Sequence, residues 1–149
     1  MNIPILFHSF KGTAEEIALV DSSTTEIFID QELVTKLKLG TRKLEIPVPL
    51  RNIDGTYNRS GCISQYLELL VSRGNKKQTE RFYVTNLGSD RLILGYPWLR
   101  NFNPDLDWAN SKLIGPAVCM ETLFYRCFPC LRELMKKQQN LGEAVIPTQ

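Results

Sequence analysis

Residues 18–25 read Ala-Leu-Val-Asp-Ser-Ser-Thr-Thr. An apolar run delivers one carboxylate, Asp21, into a cluster of small hydroxyl residues, Ser22, Ser23, Thr24 and Thr25. A carboxylate at the end of a buried strand is unfavourable unless a partner or a reaction uses it. Small neighbours let backbone or substrate approach closely, and their hydroxyl and N–H groups can hold an ionised carboxylate in place. The chemistry open to such a group is activation of water. Peptide hydrolysis by carboxylates takes two of them: one accepts a proton from the water while the other, protonated, polarises the carbonyl. Two carboxylates in contact share a proton. Asp30, Asp54, Asp90, Asp105 and Asp107 lack an apolar run followed by a small-residue turn. The second carboxylate must then come from a second copy of the chain, across the two-fold axis of a homodimer. The same segment also has a structural reading. Ser23-Thr24-Thr25-Glu26 matches a capping box, with Asp21 an ordinary turn acid.

The elements that must position Asp21 are short and mostly extended. Residues 3–7 and 16–20 read as strands, with Gly12 in the turn between them, and 27–29 is a further β-branched and aromatic run. Asp30 reads as an N-cap. Leu33, Val34 and Leu37 share one face of the short helix that follows, and Gly40 is its expected stop. Residues 43–50 are strand-like, but Pro47 and Pro49 confine them to an edge or an extended arm. Asp54-Gly55 marks a tight turn within 52–60. Strands are expected over 63–71 and 80–85, joined by a polar turn, and over 92–94. The segment YPWLRNF is a one- or two-turn helix with Pro97 near its start. Residues 106–108 and 112–114 complete a last hairpin. Many short strands and two small helices describe an all-β barrel or sandwich-like domain. It is expected to occupy 1–115, with 116–149 as a helical or disordered C-terminal tail or linker.

Composition narrows the function classes. The 149 residues carry 18 Lys plus Arg against 16 Asp plus Glu, a net charge of +2. Such a balance gives no reason to expect a nucleic-acid or anionic-membrane partner. No apolar run reaches the roughly 18 residues that cross a bilayer. The segment MNIPILFHSF lacks the charged start and long apolar stretch of a signal peptide, so an intracellular, cytoplasmic protein is expected. Of the cysteines, only Cys127 and Cys130 have ligand-like spacing. One CxxC with no second pair favours free thiols over a metal or redox site, so neither metal nor cofactor is expected.

Three ordered blocks carry a family resemblance: ALVDSSTTEIFID, PVPLRNIDGTYNRSGCI and RFYVTNLGSDRLILGYPWLRNFNPDLDW. Together they resemble the retropepsin-like aspartic protease domain of gypsy-type LTR retrotransposon polyproteins, over about residues 4–115. The resemblance implies a retroviral-type acid protease barrel, active as a homodimer on an extended peptide or polyprotein substrate, within retrotransposon particles. It assigns Asp21 as the catalytic aspartate and Ser22 as the hydroxyl that bonds across the dimer. Ser23 and Thr24 fall in the active-site loop. Asn52, Ile53, Asp54 and Gly55 fall in the flap that closes over the substrate. Ile93, Leu94 and Gly95 match the apolar-apolar-Gly motif beneath the loop. The chain departs from the family at Ser23, where glycine is usual. If the site requires a positive φ, serine there is strained by roughly 1–2 kcal/mol. A second reading follows from that departure: the same fold, catalytically decayed and kept for dimerisation or peptide binding. Ile53 and Tyr57 are substrate contacts if the flap assignment holds, and plain hairpin residues otherwise. Trp98 and Trp108 both read as core.

Overall fold

The computed structural model describes residues 1–9, 12–52, 54–122 and 144–146. Strands β1 (Asn2–Ser9) and β2 (Gly12–Val20) form an antiparallel hairpin, followed by β3 (Ile27–Asp30) and helix α1 (Gln31–Leu37). Next come β4 (Arg42–Asn52), β5 (Tyr57–Arg73), β6 (Lys76–Thr85), β7 (Leu92–Leu94) and helix α2 (Tyr96–Phe102). The small hairpin β8 (Leu106–Asp107) and β9 (Lys112–Leu113) precedes β10 (Val118–Thr122) and β11 (Ala144–Ile146).

The sheet order is β10-β1-β2-β7-β3-β6-β5-β4-β11, with a further pairing of β10 to β5. Strand β10 thus lies parallel to β1 on one side and antiparallel to the far end of β5 on the other. That double pairing closes seven strands into a barrel, which removes their free edges. The closing strand lies past Gly115-Pro116, where the sequence pattern breaks. Within the closed sheet, Ile3, Ile5, Phe7, Ile29, Leu67, Leu69, Phe82, Leu92, Leu94 and Trp98 build the main core. Strand β5 is long because its first part pairs with β4 outside the barrel and its last part pairs with β10 inside it. A second apolar cluster, including Phe28, Leu44, Val48, Leu50, Ile63, Tyr66 and Ile93, lies under the β4–β5 hairpin.

Several local expectations change. Helix α1 ends at Leu37 and is capped by Lys38, not by Gly40. Lys38 adopts φ 54° and its N–H bonds the carbonyls of the last turn. That left-handed cap is less favourable for lysine than for glycine, but it satisfies carbonyls the helix would leave open. Trp98 is fully buried against Phe102, whereas Trp108 is 79% exposed. The hairpin carrying Trp108 is only two residues long per strand, too short to bury an indole. The Lys76 Nζ donates to the Phe102 carbonyl at 3.2 Å, at the end of α2. No capping box forms at 23–26, because α1 begins only after Asp30.

Asp30 is the buried polar pin of this half of the molecule. Its carboxylate accepts from the N–H groups of Glu32 (3.1 Å) and Leu87 (2.9 Å) and meets Arg91 at 3.4 Å. It ties β3 and α1 to the loop before β7. Asp30→Ala is expected to lower stability by roughly 3 kcal/mol, because it removes a cap and leaves the Leu87 N–H buried without its acceptor. Thermal unfolding with a shift below a few degrees would contradict this.

Candidate active site

Asp21 stands where β2 leaves the sheet. Strand β2 runs parallel to β7, with Val20 opposite Leu94, and the Asp21 N–H donates to the Leu94 carbonyl at 3.1 Å. The chain then turns, with the Thr24 N–H donating to the Asp21 carbonyl at 3.3 Å. Beyond the turn, the Tyr96 N–H donates to the Thr24 carbonyl at 2.8 Å. The loop is therefore clamped to β7 at both ends. Gly95 makes this clamp possible. A Cβ there would lie 2.1 Å from the Glu26 carbonyl oxygen and 2.5 Å from that of Thr24. Ile93 and Leu94 are both fully buried on opposite faces of β7, Ile93 in the flap-side cluster and Leu94 in the barrel core.

Within the loop, Thr24 is fully buried, Asp21 is half-buried, and Ser22 and Ser23 are exposed. One carboxylate oxygen of Asp21, Oδ1, accepts two bonds from Ser23: from the N–H at 2.9 Å and from the hydroxyl at 2.5 Å. Ser23 is not among the described non-glycine residues with positive φ, which are Lys38, Asn103 and Ser111. The serine in the family's glycine position is thus accommodated without a left-handed backbone, and its hydroxyl turns onto the carboxylate.

The residues that the resemblance assigns to a flap, Asn52 to Gly55, lie at a separate, tightly bonded hairpin tip. The Asn52 N–H donates to the Thr56 carbonyl at 2.8 Å and the Gly55 N–H to the Asn52 carbonyl at 3.0 Å. Gly55 adopts φ 86°, which suits the turn. Asp54 accepts from both the hydroxyl (2.6 Å) and the N–H (2.9 Å) of Thr56, and these bonds hold its carboxyl below the usual range. Arg51 lies over the Tyr57 ring at 4.3 Å and bonds the Tyr57 hydroxyl. Ile53 lies outside the described residues, as do Cys127 and Cys130. Among the described residues, no hydrogen bond joins the flap tip to Asp21. Loop and β7 come together within one chain; the hairpin of β4 and β5 joins them through the sheet and through the second apolar cluster, which takes Leu50 from β4 and Ile93 from β7.

A half-buried charged group beside the loop escaped the sequence reading. Glu26 ends the Asp21 loop, and burial pushes its carboxyl up to about 7 from the ordinary 4.5, against the opposing pull of Arg81. The Arg81 guanidinium stacks over Tyr66 at 4.5 Å and meets Glu68 at 3.8 Å, both ionic side chains being 7% exposed. The available signal was charge inside apolar strands: Glu68 in YLELL and Arg81 in ERFYV. The consequence is a pH-dependent stability. Below about pH 4.5 Glu26 is protonated both folded and unfolded, so its burial is harmless. Above about pH 7 it is ionised in both states, and the desolvation penalty is complete. Glu26→Gln is therefore expected to match the natural chain near pH 4 and to exceed it by roughly 2–3 kcal/mol at pH 8. Urea unfolding at both pH values measures the difference; a constant offset would contradict it.

A barrel closed by a returning strand, a β4–β5 hairpin beside it and an aspartate loop clamped over an apolar-apolar-Gly strand together define a retroviral protease-like fold. The chain belongs to the PEG10/RTL1 protease domain family, whose model matches residues 17–122. It is thus a retrotransposon-derived, retropepsin-like domain. A solved structure similar to it is the retroviral protease-like domain of Ddi1 from Leishmania major, at 13% identity and a TM-score of 0.45, covering 87% of this chain and 97% of that one. No helix among the described residues is long and apolar enough to cross a membrane.

Proposed function

We propose that the chain is an aspartic endopeptidase that works as a homodimer on extended peptides. The supporting observation is the Asp21 loop: a carboxylate held on one side by Ser23, clamped to β7, with its remaining surface open. Each subunit supplies one Asp21. One carboxylate takes the proton of the attacking water and the other, protonated, donates to the scissile carbonyl. The exposed Ser22 hydroxyl braces the pair across the two-fold axis. Residues 52–55 of the flap cover the substrate, and Ile93, Leu94 and Gly95 carry the loop. This chemistry requires no metal or organic cofactor. The natural setting is polyprotein processing inside the cell. The test is cleavage of a peptide library between pH 4 and 7 by the natural chain and by Asp21→Asn. Cleavage by the natural chain alone supports the reading; equal cleavage by both removes it.

One observation favours a second reading. The Ser23 hydroxyl rests 2.5 Å from Asp21 Oδ1, on an oxygen that a water proton would otherwise reach. In that reading the fold serves dimerisation or peptide binding without hydrolysis. A silent natural chain that gains activity on Ser23→Gly selects it.

A further inference from the structure

Strand β11, Ala144–Ile146, lies parallel to Leu50–Asn52 at the end of β4 that enters the flap turn. That edge is the flap's available site for strand addition. The inner edge of β4 is taken by β5. Further back along the outer edge, Pro47 and Pro49 supply no N–H groups. On β5, Gly61 adopts φ 75°, which makes that strand irregular at the flap. Leu50–Asn52 is thus a short, proline-free strand edge, and a segment of the same chain, with the sequence Ala-Val-Ile, is paired along it.

We propose that Ala144–Ile146 is a resident strand seated on the flap's peptide-binding edge, which an incoming extended peptide must displace. The inference rests on the proposed peptide-cleaving function for its consequence, since a peptide under the flap bonds main chain to main chain. The parallel sense is compatible with that role. A two-fold axis presents the two β4 edges in opposite directions along one crossing peptide. A single extended chain therefore runs parallel to one β4 and antiparallel to the other. Reach is no obstacle: the residues between Thr122 and Ala144, about 20 of them, span on the order of 70 Å when extended. Occupancy lowers the apparent affinity for any competitor by the fraction of flap edges left free.

The experiment uses the full chain and the double variant Val145→Pro, Ile146→Pro, which removes two N–H groups from β11. Amide hydrogen exchange is followed over residues 48–52, with β3 and β7 as internal controls. The expected result is exchange roughly tenfold faster at 48–52 in the variant with the controls unchanged. Addition of a synthetic peptide of residues 142–149 should then restore protection. Equal exchange at 48–52 in both proteins overturns the proposal. So does acceleration spread over β3 and β7, or failure of the peptide to protect the variant. Hydrolysis of a chromogenic peptide is read separately, and the variant is expected to cleave it several-fold faster at low substrate. If neither protein cleaves while the exchange difference stands, the protease reading fails and the seated strand remains.

Discussion

Gly95→Ala is expected to unfold the domain or to lower its stability by roughly 3–5 kcal/mol. The cause is steric. Gly95 has φ −83°, a value open to any residue, so backbone conformation does not require glycine here. Space does. The added carbon would sit 2.1 Å and 2.5 Å from two main-chain oxygens, those of Glu26 and Thr24. Neither can rotate away as a side chain would. Relief requires the loop at 21–26 to move off β7 by about 1 Å or more, which breaks the Asp21-to-Leu94 and Tyr96-to-Thr24 bonds. Overpacking alone is typically 1–3 kcal/mol, and two buried main-chain bonds add to it. Against a usual total of 5–15 kcal/mol, the loss is a large fraction of the stability. Chemical denaturation measures it. An unfolding free energy within about 1 kcal/mol of the natural chain's would mean that loop and strand part easily. Activity would then tolerate the change as well.

The same residues explain what the sequence could and could not reveal. Asp21 was legible because an apolar run ending in an acid and hydroxyls is chemically odd. The β7 motif was legible because Leu92, Ile93, Leu94 and Gly95 form an apolar run ending in glycine, and all three apolar residues are buried. Asp30 was legible as a cap, but its second role, holding the Leu87 N–H, spans 57 positions and leaves no local pattern. The length of β5 was hidden for the same reason. Tyr57–Arg73 serves two different neighbours in succession, and Gly61 interrupts its pattern. Trp108 misled because composition cannot tell an apolar residue in a core strand from one in a two-residue hairpin. Residues 118–122 read as post-domain chain because Gly115-Pro116 looks like a terminus. Their pairing with β1 and β5, over a hundred and about fifty positions away, is a tertiary fact. The position of Glu26 beside Arg81 is likewise set by packing between β3 and β6, not by any motif.

Asp21→Asn is expected to abolish peptide cleavage, by on the order of 10³-fold or more, while leaving the fold intact. The geometry separates the two effects. The amide oxygen of asparagine can still accept the Ser23 N–H and hydroxyl bonds that Asp21 Oδ1 accepts now. The Asp21 N–H bond to Leu94 belongs to the main chain and is unaffected. Melting should therefore change by only a few degrees. What asparagine cannot do is take a proton from water, and general-base catalysis of this kind contributes about 10²–10⁴-fold. In a homodimer the substitution falls on both halves of the dyad at once, which places the loss at the upper end. Mixing natural and Asp21→Asn subunits sharpens the point. If each site needs one aspartate from each chain, equal mixing leaves about a quarter of the dimers fully natural, and activity per subunit falls below the half expected for independent sites. Activity that tracks the natural subunit linearly would show that one chain carries a complete site, and the two-chain dyad would be wrong.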